Sequence, residues 1–190
     1  MTALPQPSFI SVEDYLEGEE IASVKHEYLG GVVYAMAGGT NDHAAISANA
    51  ILALGGRLRG KSCRVFSSDA KVRIDLADHT RFYYPDAQVV CQSNAGSERF
   101  QERPSVIVEV LSESTRRTDL GEKRDAYLAI PSLKALVFAD FESARALVYR
   151  RRPQGGFAVE EYEGRSAVIG LPEIDAELPL AELYEGIEFA

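Results

Sequence analysis

The sequence has no tryptophan, two methionines, three histidines and two cysteines in 190 residues. Two cysteines, Cys63 and Cys91, are too few and too far apart for a disulfide framework or a zinc cluster. Their apolar neighbours lead to the expectation that they pack as small hydrophobes. No apolar run approaches the roughly 20 residues that cross a bilayer. Met1 to Ser8 lacks the basic-then-apolar order of a secretory signal. The expectation is a cytoplasmic chain with no membrane contact. No P-loop, HExxH or nucleophile-elbow pattern is present, so NTPase, zincin and α/β-hydrolase chemistry have no support, and no organic cofactor is expected. There is no internal repeat and no low-complexity linker.

What remains is ordinary globular material: 46% hydrophobic and 26% charged, enough for one domain with its own core. The net charge of −9 is unevenly spread. Residues 160–190 hold nine acids and one base, leaving a net of −1 on the rest of the chain. Arg116 to Arg124 and Arg145 to Arg152 are basic strips. Such strips reach a phosphate backbone even on an acidic protein, or they are simply solvated faces.

Ser11-Val12-Glu13-Asp14 reads as a capping box opening a helix to about Glu17. Val24 to Ala37 reads as a hairpin around Gly30-Gly31. Ala44 to Leu58 has helical spacing, capped from Thr40, Asn41 or Asp42, with Gly60 as its stop. Strands are expected at 62–66, 71–76 and 82–91, and at Ser105 to Leu111, whose nearly continuous apolar run marks a strand buried on both faces. Asp119 to Ile130 is helical and ends at Pro131. Further strands follow at 133–140, 144–150, 157–162 and 166–169, then a short helix at 179–184 with Pro179 near its first position. The expected fold class is α/β: a mixed β-sheet flanked by helices, with an N-terminal hairpin and extra C-terminal strands. Its core would span about 11–140.

Glu109 breaks the apolar run. A carboxylate in a buried strand is costly unless it is paired or bound to a cation. Asp86 follows Pro85 in the preceding long strand, and neighbouring strands would bring the two acids together. Two carboxylates and several waters suit Mg²⁺; the alternative is neutralisation of Glu109 by an internal Arg or Lys. Asp119, Lys123 and Tyr127 share one helical face. Lys123 either forms a surface pair with Asp119 or faces the two acids.

The order Pro85-Asp86, then Glu109 in a buried strand, resembles the PD-(D/E)XK nuclease superfamily, and within it the family of short, stand-alone restriction-endonuclease homologues. The matching phrases are Glu27 to Gly31, Ser67-Ser68-Asp69, Tyr84-Pro85-Asp86, Pro104 to Ser112, and Ser114-Thr115 through Asp119, Lys123 and Tyr127. One departure is plain: Leu111 stands where the motif has its lysine, and Lys123 is the candidate replacement from the following helix.

The resemblance implies a restriction-endonuclease-like fold and a Mg²⁺-dependent endonuclease, with Mn²⁺ able to substitute. Asp86, Glu109 and the Val110 backbone carbonyl would hold the ion, with Glu27 assisting, and Lys123 would position the attacking water. Glu27 could equally be an exposed strand residue facing Lys25. His43 joins the site by resemblance, although a plain helix-start role is the alternative. Ser112, Ser114 and Thr115 would be phosphate contacts or caps, Asp69 a turn residue, and His26 and His79 lack partner spacing. Arg116, Arg117 and Arg124 would contact DNA phosphates, and duplex cleavage suggests a homodimer. The alternative function is an inactive module of the same fold that binds nucleic acid or a protein; RNA or branched DNA is the other substrate option.

Overall fold

The computed structural model describes residues 9–36, 38–113 and 116–189. Met1 to Ser8, Ala37, Ser114 and Thr115 lie outside them, as do the roles expected of these residues. The chain runs α1 (Val12–Ile21), β1 (His26–Leu29), β2 (Val32–Ala35), α2 (Asn41–Leu58), β3 (Arg64–Ser67), β4 (Lys71–Asp75), β5 (Thr80–Tyr83), β6 (Ala87–Val90), β7 (Phe100–Gln101) and β8 (Pro104–Val110). A short helix α3 (Arg116–Thr118), a π-helical turn (Asp119–Lys123) and α4 (Arg124–Leu128) follow. The chain then continues through β9 (Ala135–Ala139), β10 (Arg145–Arg151), β11 (Phe157–Glu163), β12 (Val168–Leu171), β13 (Ala176–Pro179) and α5 (Leu180–Leu183).

These strands form a five-stranded sheet, β2-β1-β5-β4-β7, a six-stranded sheet, β11-β10-β9-β8-β6-β3, and the small β12-β13 pair. The layering follows from strand alternation. On β8, Val106, Val108 and Val110 face one side and pack with α2 residues Ile46, Ala50 and Leu54 and with the C-terminal Ile169, Leu178 and Leu183. Ile107 and Leu111 face the other side, with Tyr83, Ala126, Tyr127 and Phe138. Glu109 shares that second side. The five-stranded sheet covers it there, while its own outer face packs Tyr28 and Phe82 against Tyr15 of α1.

Several local expectations are met for stated reasons. The Ser11 hydroxyl accepts from the Asp14 N–H at 3.0 Å, capping α1, which runs on to Ile21. The hairpin turns at Gly30 and Gly31, where φ of 57° and 102° favours glycine. Thr40 caps α2 by accepting from the His43 N–H.

Three expectations fail. Residues 82–91 are not one strand. β5 and β6 belong to different sheets, and Tyr84-Pro85-Asp86 crosses between them, because Pro85 has no N–H to give a ladder. The helix at 119–130 is broken by the π-helical turn, with Gly121 at φ −108° and ψ −113°. Cys63 and Cys91 do not pack as separate hydrophobes; they form a disulfide. The β3–β6 register pairs Arg64 with Val90, so the two cysteines stand opposite each other one position further on.

No helix among the described residues is long and apolar enough to cross a membrane. The Arg145 to Arg152 strip is largely consumed internally. Arg150 bonds Glu160 and Glu173, Arg151 donates to the carbonyls of Leu128, Ile130 and Leu133, and Arg145 pairs with Glu163. The acidic C-terminal segment is held down in the same way, with Glu182 on Arg57 and Asp175 on Lys61.

Candidate active site

Four segments meet where the two large sheets adjoin. β8 supplies Glu109, buried because alternation turns it inward between Ile107 and Leu111. The crossover supplies Asp86, β1 supplies Glu27, and the π-helical turn supplies Lys123. The Asp86 Oδ2 accepts the Val110 N–H at 2.8 Å, which ties the crossover to the end of β8. Lys123 Nζ lies 3.0 Å from Glu109 Oε1, 3.2 Å from Glu27 and 3.8 Å from Asp119. The rings of Tyr83 and Tyr127 flank the ammonium at 5.5 and 5.9 Å. The Tyr127 hydroxyl donates to Glu109 Oε1 at 2.6 Å.

His43 enters from α2. Its Nε2 lies 3.4 Å from Asp86 Oδ2. The ring is packed so tightly against Gly39 that a Cβ there would stand 2.8 Å from Nδ1.

The electrostatics follow from burial. Desolvation pushes the Glu109 carboxyl up to about 8, with Lys123 opposing and Asp86 and Asp119 adding to the rise. Burial alone would depress Lys123, but Glu109, Glu27 and Asp119 together hold its ammonium well above the ordinary lysine range. Desolvation drives the Tyr127 phenol upward, so it stays a donor. The bond to Asp86 raises His43 against its own desolvation.

The structure therefore brings together Asp86, Glu109, Val110, Lys123, Glu27 and His43. Glu27 does not face Lys25, whose ammonium bonds Asp69 instead. The basic residues on the helix separate: Arg116 pairs with Asp140, Arg124 with Asp125, and Arg117 is exposed with no side-chain partner among the described residues. Of the two alternatives for Lys123, a surface pair with Asp119 or a place facing the acids, the structure has it buried with Asp119 and 3.0 Å from Glu109. Sequence reasoning left Tyr127 without a role, although its place one helical turn after Lys123 was the available signal.

A family model described as "Uma2: Putative restriction endonuclease" matches residues 12–181. The chain belongs to the Uma2 family. This agrees with the family named by the motif phrases. The Uma2 chain is 31% identical to the protein slr1290 of Synechocystis sp. over 181 residues, covering 95% of this chain and 94% of that one. It is 26% identical to sll1609 of the same organism over 172 residues, covering 89% and 96%. Its fold is similar to a crystal structure from Anabaena variabilis described as a putative nuclease belonging to DUF820. The TM-score is 0.69 at 18% identity, over 92% of this chain and 97% of that one.

Proposed function

We propose that this protein hydrolyses phosphodiester bonds in DNA with the help of a divalent cation, Mg²⁺ or in its place Mn²⁺. The observation that carries the reading is the convergence of Asp86, Glu109, Glu27 and Lys123 from four separate segments. Membership of a family described as restriction endonucleases supports it.

The donor set fits a hard cation. Among the described residues no three His, Cys, Asp or Glu side chains form a ready cation cage. Two carboxylates, with water completing the shell, is how Mg²⁺ is commonly held. Glu109 is buried, and the charge of Asp86 adds to the cost of ionising it; a cation between the two removes that cost. When bound, the ion supplies Lewis-acid contact to a phosphoryl oxygen and a water of lowered pKa.

The chain's own residues do the rest. Asp86, fixed by the Val110 N–H, and Glu109, fixed by Tyr127, are the proposed protein ligands. Lys123 orients the attacking water and offsets charge developing on the phosphate. Glu27 keeps Lys123 charged and aimed. His43 buttresses Asp86. Arg117, exposed and with no side-chain partner among the described residues, contacts a flanking phosphate. Two copies related by a two-fold axis would serve the two strands of a duplex, which analytical ultracentrifugation tests.

Cleavage of circular duplex DNA in Mg²⁺ is the direct experiment. Asp86→Ala and Lys123→Ala are each expected to lose at least a hundredfold in rate. Cleavage that persists equally in wild type and both variants overturns the mechanism. One observation favours a second reading, a non-catalytic binding module: Lys123 is engaged by three carboxylates at once. DNA binding without cleavage, and without Mn²⁺ uptake dependent on Asp86 and Glu109, selects it.

A further inference from the structure

A second buried carboxylate cluster lies on the opposite face of the five-stranded sheet, against α1. Its centre is Glu19, whose side chain is 6% exposed. One oxygen, Oε2, accepts from the Tyr84 hydroxyl at 2.6 Å and from the His26 N–H at 3.2 Å. The other, Oε1, lies 2.7 Å from His26 Nδ1. α1 holds the same stretch of β1 a second time, through the Tyr15 hydroxyl on the His26 carbonyl at 2.6 Å. The Lys71 ammonium sits over the Tyr84 and Tyr15 rings at 5.3 and 5.6 Å and adds a favourable field. Burial acts to raise the Glu19 carboxyl, but the bonds from Tyr84 and His26, with Lys71, hold it below the usual range.

The two segments that Glu19 grips are the ones that carry site carboxylates. His26 immediately precedes Glu27, and strand alternation sends the two side chains to opposite faces of β1. Tyr84 is separated from Asp86 only by Pro85, whose ring fixes φ and stiffens the connection. One carboxylate on α1 therefore sets the backbone position of both segments from behind the sheet. Groups that orient ligands in this way commonly change metal affinity by 10- to 100-fold when removed.

We infer that Glu19 is a positioning residue for Asp86 and Glu27, a role that rests on the divalent-cation reading of the site. It touches neither reacting group and acts through Tyr84 and His26.

The test uses Glu19→Ala, Glu19→Gln and Tyr84→Phe in the full chain, with Asp86→Ala as reference. Mn²⁺ affinity is read by calorimetry, and DNA cleavage as separate kcat and KM. Glu19→Ala is expected to bind Mn²⁺ about tenfold more weakly and to lose a similar factor in kcat, with KM for DNA unchanged. Glu19→Gln is expected to restore both, because its amide oxygen still accepts from Tyr84 and the His26 N–H. Should circular dichroism show Glu19→Ala unfolded, Tyr84→Phe carries the test, with a smaller loss in the same two quantities. Wild-type affinity and kcat in the folded Glu19→Ala or Tyr84→Phe chain overturn the inference, as does a Glu19→Gln chain no better than Glu19→Ala. Wild type that binds Mn²⁺ through Asp86 while Glu19→Ala binds equally well removes only the positioning role. Wild type that takes up no Mn²⁺ removes the function reading and this role with it.

Discussion

Tyr127 and Lys123 converge on a single oxygen: both meet Glu109 Oε1, at 2.6 and 3.0 Å. Removing one leaves that buried oxygen with the other as its partner. Tyr127→Phe is expected to cost about 1–3 kcal/mol in urea unfolding, the penalty for stripping a buried acceptor of a donor. It is also expected to lower the cleavage rate by letting Glu109 turn. An unchanged unfolding midpoint would show that the hydroxyl is bonded elsewhere in solution.

The Glu109 carboxyl also gives the stability a pH dependence with a definite sign. Its folded value is raised from 4.5 to about 8. Below 4.5 the folded and unfolded chains both hold the proton, and its stabilising effect is fully present. As pH rises towards 8 the unfolded chain ionises first, so that contribution is progressively lost. Glu109→Gln is expected to gain on wild type in thermal midpoint across this window when no metal is added. Excess Mg²⁺ is expected to favour the wild type at pH 8, because only it offers a carboxylate at position 109 beside Asp86. Parallel curves for the two chains count against burial of this acid.

Gly39 makes the third prediction. A methyl group there would stand 2.8 Å from His43 Nδ1 and 3.0 Å from Cγ, so the ring must leave the position that sets its Nε2 3.4 Å from Asp86. Gly39→Ala and His43→Ala are each expected to slow cleavage, by roughly tenfold as supporting groups around ligands commonly do. The double variant is expected to be no slower than His43→Ala alone. Additive losses would mean that the two residues act separately.

The disulfide closes a loop with a sequence separation of 28 and ties β3, an edge strand, to β6. Chain-entropy arguments give such a bridge about 3–4 kcal/mol. Reduction, or the Cys63→Ser/Cys91→Ser variant, is expected to lower the thermal midpoint by roughly 10 °C. Thiol titration of the native, unreduced chain is expected to find no free cysteine.

Much of the site was legible in the sequence because burial is written in patterning. Glu109 stood out as the single acid in an apolar run, and Asp86 was marked by the proline before it. The crossover was missed because β-prone residues flank it on both sides from Phe82 to Cys91, although Pro85-Asp86 was the available signal for a break. The disulfide was hidden for a related reason: the pairing of residues 63 and 91 depends on the β3–β6 register, which no local signal fixes. The placement of Asp119 and Lys123 stayed open because an i,i+4 acid–base pair looks the same on a surface or under a sheet. The Glu19 cluster escaped because its members come from α1, β1 and the crossover, with no common spacing.

Leu111, 4% exposed, belongs to the apolar cluster of Tyr127, Leu136 and Phe138, on the same side of the sheet as Glu109. A lysine at that position would bring a second ammonium into this apolar cluster, beside the one that the broken helix already delivers. The end of β8 is therefore packing material, and Leu111→Lys is expected to lower the urea unfolding midpoint.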